Sequence, residues 1–125
     1  METPKIFESE YKFACIVWEK DPVSVKELIQ LCNKELEWKR TTTYTVLKRL
    51  CERGILKNED GIVNSLYTKE QIQNSESRQF LDKTFEGSLQ GFMAAFLKGK
   101  QISDKEIQEL RQMLDDFENN NLSES

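Results

Sequence analysis

Histidine is absent from this chain of 125 residues, and that removes both the commonest general base and the commonest metal ligand. No Ser/His/Asp set, zinc-binding spacing or glycine-rich phosphate loop can be assembled from what is left. No enzyme, cofactor or metal site is therefore expected. Cysteine is scarce: Cys15, Cys32 and Cys51 are odd in number and have no C-x-x-C spacing. Each falls in an apolar helical stripe and is expected to be a buried small hydrophobe, a redox or metal role being the alternative. Long apolar runs are missing too. None approaches the roughly 18 residues that span a bilayer, and Met1-Glu2-Thr3-Pro4 has no signal-peptide pattern. The chain is expected to stay in the cytoplasm, without membrane insertion.

With 38% hydrophobic and 32% charged residues, the composition is that of a folded globular protein, with room for one small domain plus an appendage. The net charge of −4 argues against a nucleic-acid partner until the chain is divided. Residues 1–67 carry 11 basic and 11 acidic side chains, whereas residues 68–125 carry 7 and 11. Between Trp38 and Asn58 six basic residues (Lys39, Arg40, Lys48, Arg49, Arg53, Lys57) face one acid, Glu52. Phosphate binding needs positive charge of this local kind.

Hydrophobic periodicity predicts a first helix from Ser9 to Lys20, with Tyr11, Ala14, Val17 and Trp18 inward. Asp21-Pro22 ends it, because the residue before proline is pushed out of the α region. Ser24-Val25-Lys26-Glu27 reads as a capping box opening a second helix, with Val25, Leu28, Ile29 and Cys32 inward. A third helix is expected from Arg40 to Arg53, with Thr43, Val46, Leu47 and Leu50 inward and Gly54 as its left-handed stop. Two β-prone runs, Ile55 to Asn58 and Ile62 to Tyr67, flank Asp60-Gly61, a dipeptide suited to a tight hairpin turn. Three helices and a hairpin make a winged helix-turn-helix over residues 1–68.

The outer face of the third helix carries Thr41, Thr42, Tyr44, Thr45, Lys48 and Arg49. Hydroxyls and arginine suit base edges and phosphates, and a threonine methyl suits the methyl of thymine. Lys39 and Arg40 at the helix entrance, and Lys57 on the wing, are expected at phosphates. Arg53 has two open readings, a phosphate contact or a structural role.

The second half is expected to be helical over residues 69–118, followed by a disordered tail from 119 to 125. Its apolar residues (Phe80, Leu81, Phe85, Leu89, Phe92, Met93, Phe96, Leu97, Ile107, Leu110, Leu114) are too many for some 50 residues to enclose alone. They are expected to form a dimerisation domain. A two-fold homodimer sets two recognition helices about one DNA turn, or a multiple of it, apart on a palindromic double-stranded operator. The fold class is thus mainly α with a small β-hairpin wing, a winged helix-turn-helix followed by a helical dimerisation domain.

These residues resemble the penicillinase-repressor family (BlaI/MecI/CopY type) over nearly the whole chain. The resemblance is carried by Ile6 through Trp18-Glu19-Lys20, and by Glu37-Trp38 with Thr42, Tyr44-Thr45-Val46-Leu47-Lys48-Arg49-Leu50 and Gly54-Ile55-Leu56. Gly87-Ser88-Leu89, Ala94-Ala95-Phe96-Leu97 and Ile102-Ser103 with Glu106-Ile107 and Glu109-Leu110 extend it. It implies repression of a resistance or stress operon. In members paired with a membrane sensor protease it also implies release by cleavage, which aligns with Ala95-Phe96. β-Lactam-responsive members have Asn-Phe at that bond, and the copper-responsive branch ends in a cysteine-rich tail that is missing here. Where the family often starts the recognition helix with Ser-Pro, this chain has Lys39-Arg40.

Two other function classes share these features. A ligand-sensing regulator of MarR or PadR type couples a winged helix to dimerising helices and could use the phenylalanine cluster as a pocket. A protein-interaction module keeps the winged helix but docks a protein.

Overall fold

In the computed structural model, which describes residues 3–99 and 101–124, helix α1 spans Glu8–Lys20, strand β1 Val23–Ser24, helix α2 Val25–Leu36 and helix α3 Arg40–Glu52. Strands β2 (Leu56–Glu59) and β3 (Ile62–Ser65) follow, then helices α4 (Lys69–Phe85), α5 (Leu89–Gly99) and α6 (Asp104–Glu124). The chain separates into two compact units, residues 1–80 and 81–125. This boundary lies inside α4 and not at residue 68. Ile72 in the first turn of α4 is fully buried in the core of the first unit, so that turn belongs with the winged helix.

The core of the first unit follows from helical spacing. Phe13, Ala14 and Val17 of α1, Leu28 and Cys32 of α2, and Val46, Leu47 and Leu50 of α3 are buried together with Ile55, Leu56 and Val63. On α3 the buried set is the one expected, Thr43 included. On α1 it is displaced: Tyr11 and Trp18 are half-buried, and Phe13 and Ile16 take the interior. Phe13 stacks on Trp38, their ring centroids 5.8 Å apart and planes 11° from parallel. That contact fixes the short link between α2 and α3.

Local chemistry explains the boundaries. Ser24 Oγ accepts from Glu27 N–H at 3.1 Å at the start of α2, the serine half of the expected capping box. Lys39 caps α3 with no side-chain hydrogen bond. The strands turn at Asp60 and Gly61, with φ of 52° and 83°, the two positive values that a type I′ hairpin requires. Asn58 Oδ1 accepts from Gly61 N–H at 3.2 Å.

The hairpin is part of a larger sheet than the sequence indicates. β1 pairs antiparallel with β3, giving three strands in the order β1-β3-β2. Two residues after Pro22 carry no periodicity to read, so β1 is legible only through its partner. Val25 N–H donates to Gly61 O at 2.8 Å, which ties the wing's turn to the start of α2.

In the second unit α5 and α6 are separate helices. Ser103 and Glu106 form a reciprocal capping box: Glu106 N–H donates to Ser103 Oγ at 3.1 Å and Ser103 N–H to Glu106 Oε1 at 3.3 Å. From there α6 runs to Glu124. The segment expected to be disordered from Asn119 is therefore helical as far as 124, and Ser125 lies outside the described residues. Once nucleated, a helix extends through residues of middling propensity such as Asn and Ser if no Gly or Pro intervenes. Among the described residues no helix is long and apolar enough to cross a membrane.

Candidate nucleic-acid interface

All nine residues expected at DNA are exposed: Lys39, Arg40, Thr41, Thr42, Tyr44, Thr45, Lys48 and Arg49 around α3, and Lys57 on β2. The eight on α3 and its cap share the face opposite the buried Thr43, Val46, Leu47 and Leu50. The Arg40 guanidinium lies over the Tyr44 ring, 5.6 Å from its centroid. Thr45 Oγ1 donates to Thr41 O at 2.9 Å. With its proton used on the helix, Thr45 presents a methyl group and an acceptor outward.

The cations are not equivalent. Lys48 sits 4.0 Å from Glu52 and Lys57 sits 2.7 Å from Glu59. Both pairs are open to solvent, where such pairs are weak, and a phosphate can displace either carboxylate. Arg53 is held differently. Its Nη1 donates to both carboxylate oxygens of Glu10, at 2.8 and 2.9 Å, and its Nη2 donates to the Lys5 carbonyl. Of its two open readings the structure supports the structural one. Arg49 lies one turn earlier, its Nε 3.9 Å from the same carboxylate and its side chain half exposed.

Glu10 is a residue that sequence reasoning missed. It is 1% exposed, accepts from Phe7 N–H at 3.0 Å and neutralises Arg53. A signal was present: Glu10, Phe13, Ala14 and Val17 stand at i, i+3, i+4 and i+7, so the carboxylate lies on the buried stripe.

The cysteines form no disulfide; Cys32 is buried, Cys15 and Cys51 half-buried. Among the described residues no group of three or more His, Cys, Asp or Glu side chains is arranged to hold a metal. Burial pushes the Cys32 thiol up from its ordinary 9.0 to about 11, against a lowering hydrogen bond with Thr43. Burial also raises Cys51. Unreactive thiols at neutral pH follow. Between pH 9 and 11 the unfolded chain releases the Cys32 proton while the folded chain keeps it, so stability falls as pH rises. The unfolding free energy of the wild type, measured by urea denaturation, is expected to drop across this window relative to Cys32→Val, by up to about 1.4 kcal/mol per pH unit. Parallel curves would acquit the thiol.

Every residue expected at a dimer contact is at least partly open. Leu89 is 61% exposed, Leu97 46%, Leu110 40% and Leu114 66%, and Met113 and Phe117 add to the same surface. Leu81, Phe85, Phe92, Met93 and Ile107 are intermediate, and Phe80 and Phe96 are exposed. Phe92 meets Phe85 edge-on at 5.5 Å and lies 5.9 Å from Phe96. Ala95 and Phe96 are exposed and lie within the helical turns of α5.

Three helices, a three-stranded antiparallel wing and an exposed, cation-bearing third helix define a winged helix-turn-helix protein. The chain belongs to the penicillinase repressor family, whose model matches residues 6–116. It is 29% identical over 121 residues to the penicillinase repressor of Bacillus licheniformis, covering 93% of this chain and 94% of that one. It is 27% identical over 117 residues to the methicillin resistance regulatory protein MecI of Staphylococcus aureus strain Mu50, covering 90% and 95%. The solved DNA-binding domain of the repressor BlaI matches 57% of this chain and 93% of its own length, with a TM-score of 0.50 at 22% identity. That likeness supports the fold. Membership places the chain among transcriptional repressors, not enzymes.

Proposed function

We propose that the protein is a sequence-specific DNA-binding repressor that grips a palindromic operator as a homodimer. The observation that carries this reading is the outer face of α3, where Thr41, Thr42, Tyr44, Thr45, Lys48 and Arg49 are all exposed beside Lys39 and Arg40. Thr42 and Arg49 are assigned to base edges, Thr45 to a thymine methyl, and Lys39, Arg40 and Lys57 to phosphates. The names of the relatives, a penicillinase repressor and a methicillin resistance regulator, favour a resistance operon as the target. Dimerisation is assigned to α5 and α6. Ile107, Leu110, Leu114 and Phe117 follow the 3-4-3 spacing of a coiled-coil seam.

Release by a sensor protease at Ala95–Phe96 requires α5 to open locally, since a bond inside a hydrogen-bonded helix is not presented in extended form. Gly91 inside α5 weakens that helix by about 1 kcal/mol relative to alanine, which favours this site for opening.

Selection from a random pool of duplexes tests the function. The expected result is one enriched sequence with two-fold symmetric half-sites about one helical turn apart, or a multiple of it, bound ever more weakly as salt rises. No enrichment would sink the reading and leave the protein-interaction module. Thr42→Ala or Arg49→Ala should reduce discrimination between the selected duplex and random DNA by about tenfold.

A further inference from the structure

Glu10 is the only acidic side chain buried among the described residues, and it lies on α1, outside the helix proposed to read DNA. Its two oxygens accept hydrogen bonds from two donors, and a second arginine stands at ion-pair distance. Phe7 N–H takes Oε1 at 3.0 Å, Arg53 Nη1 bridges both at 2.8 and 2.9 Å, and Arg49 Nε stands 3.9 Å from Oε2. Arg53 is further committed through Nη2 to the Lys5 carbonyl, and its guanidinium lies over the Phe7 ring at 5.6 Å. Arg49 is engaged only through the inner nitrogen of its guanidinium, and 54% of its side chain is exposed.

We propose that Glu10 is a positioning residue for sequence discrimination: one buried carboxylate that anchors Arg53 in the protein body and steers the neighbouring Arg49 so that its terminal amino groups face a base. This rests on the DNA-reading function proposed above. The physical argument has two parts. An arginine swings about several torsions, and those that binding must freeze weaken the contact. A carboxylate behind Nε removes part of that loss and leaves the two-nitrogen fork that matches O6 and N7 of guanine. The same charge offsets one cation of the pair, which restrains sequence-blind attraction to phosphates.

The test is Glu10→Gln, which keeps the shape and an acceptor for Phe7 and Arg53 but removes the charge. Two probes are used: the duplex selected by the wild type and a random duplex of equal length. On the random duplex, affinity is expected to rise a few-fold and the log–log salt dependence to steepen by about one, as a released arginine gains a phosphate. Discrimination is expected to fall about tenfold. In an Arg49→Ala background the same change should leave discrimination where it is, since the effect runs through Arg49.

A merely structural role shrinks the folded fraction and lowers both affinities in parallel; that result, or unchanged discrimination in a folded variant, overturns the proposal. If Glu10→Gln is unfolded at the assay temperature, Glu10→Asp replaces it. That variant keeps the charge and withdraws it from Arg49, so discrimination should fall; wild-type discrimination overturns the proposal. A wild type that selects no sequence overturns the function and this role together. A selective wild type with an indifferent Glu10 overturns this role alone.

Discussion

Arg53→Ala is expected to lower the unfolding free energy by about 3 kcal/mol, the cost of leaving a buried charge without its partner. Glu10 is 1% exposed, and Arg53 is the partner that compensates its charge. After truncation the carboxylate retains only Phe7 N–H, a hydrogen bond at 3.0 Å, and Arg49 at ion-pair distance, 3.9 Å. The Lys5 carbonyl and the Phe7 ring also lose the guanidinium that held them. Because 31% of the Arg53 side chain is exposed, the lower end of the range for buried pairs applies. Arg53→Lys should recover little, since an ammonium cannot serve the carboxylate and the Lys5 carbonyl as a planar fork does.

Urea denaturation checks the prediction: the midpoint should fall with the slope unchanged. The combined change Glu10→Leu with Arg53→Leu should be milder than Arg53→Ala alone, because replacing both partners leaves no charge behind. A loss below about 1 kcal/mol for Arg53→Ala would class the pair with exposed salt bridges and refute its anchoring role.

That pair also marks where the sequence stops being readable. The third helix was legible residue by residue, since Thr43, Val46, Leu47 and Leu50 are buried while the polar positions between them face out. There the helical period and the burial agree, and Asp60-Gly61 was equally direct because few dipeptides accept two positive φ angles. Glu10 was not legible in the same way. An acidic residue in the first turn of a helix has a ready explanation in the helix dipole, and only its spacing to Phe13, Ala14 and Val17 marks it as interior. Its partners lie 43 and 39 positions further along the chain, a pairing that no local pattern encodes. The same holds for β1, whose two residues become a strand only because β3 accepts them. The tail from Asn119 shows the reverse case, for its polar composition suggests disorder while α6 continues through it to Glu124.

If α6 carries the proposed dimer contact, Leu110→Glu combined with Leu114→Glu is expected to turn the proposed homodimer into a monomer and to weaken binding of the selected duplex at least a hundredfold. Each buried leucine contributes about 2 kcal/mol relative to exposure, and in a symmetric interface each substitution is felt twice. The DNA effect follows from linkage of two half-sites. Once one reading helix is docked, the second binds at an effective concentration near millimolar, which raises overall affinity by roughly 10² to 10⁴ over a single site. Both leucines lie on α6, in a stripe that also contains Phe117, 64% exposed, so the substitutions remove no core contact of the winged helix. Sedimentation should show the halved mass, and the melting of residues 1–80 should be preserved. Added negative charge repels DNA by itself, so the lysine pair Leu110→Lys with Leu114→Lys is the control. If dimer loss is the cause, both pairs lose operator affinity at a salt concentration high enough to screen the added charges. A lysine pair that binds the operator like the wild type, or a glutamate pair that remains dimeric, would move the dimer contact away from this face of α6.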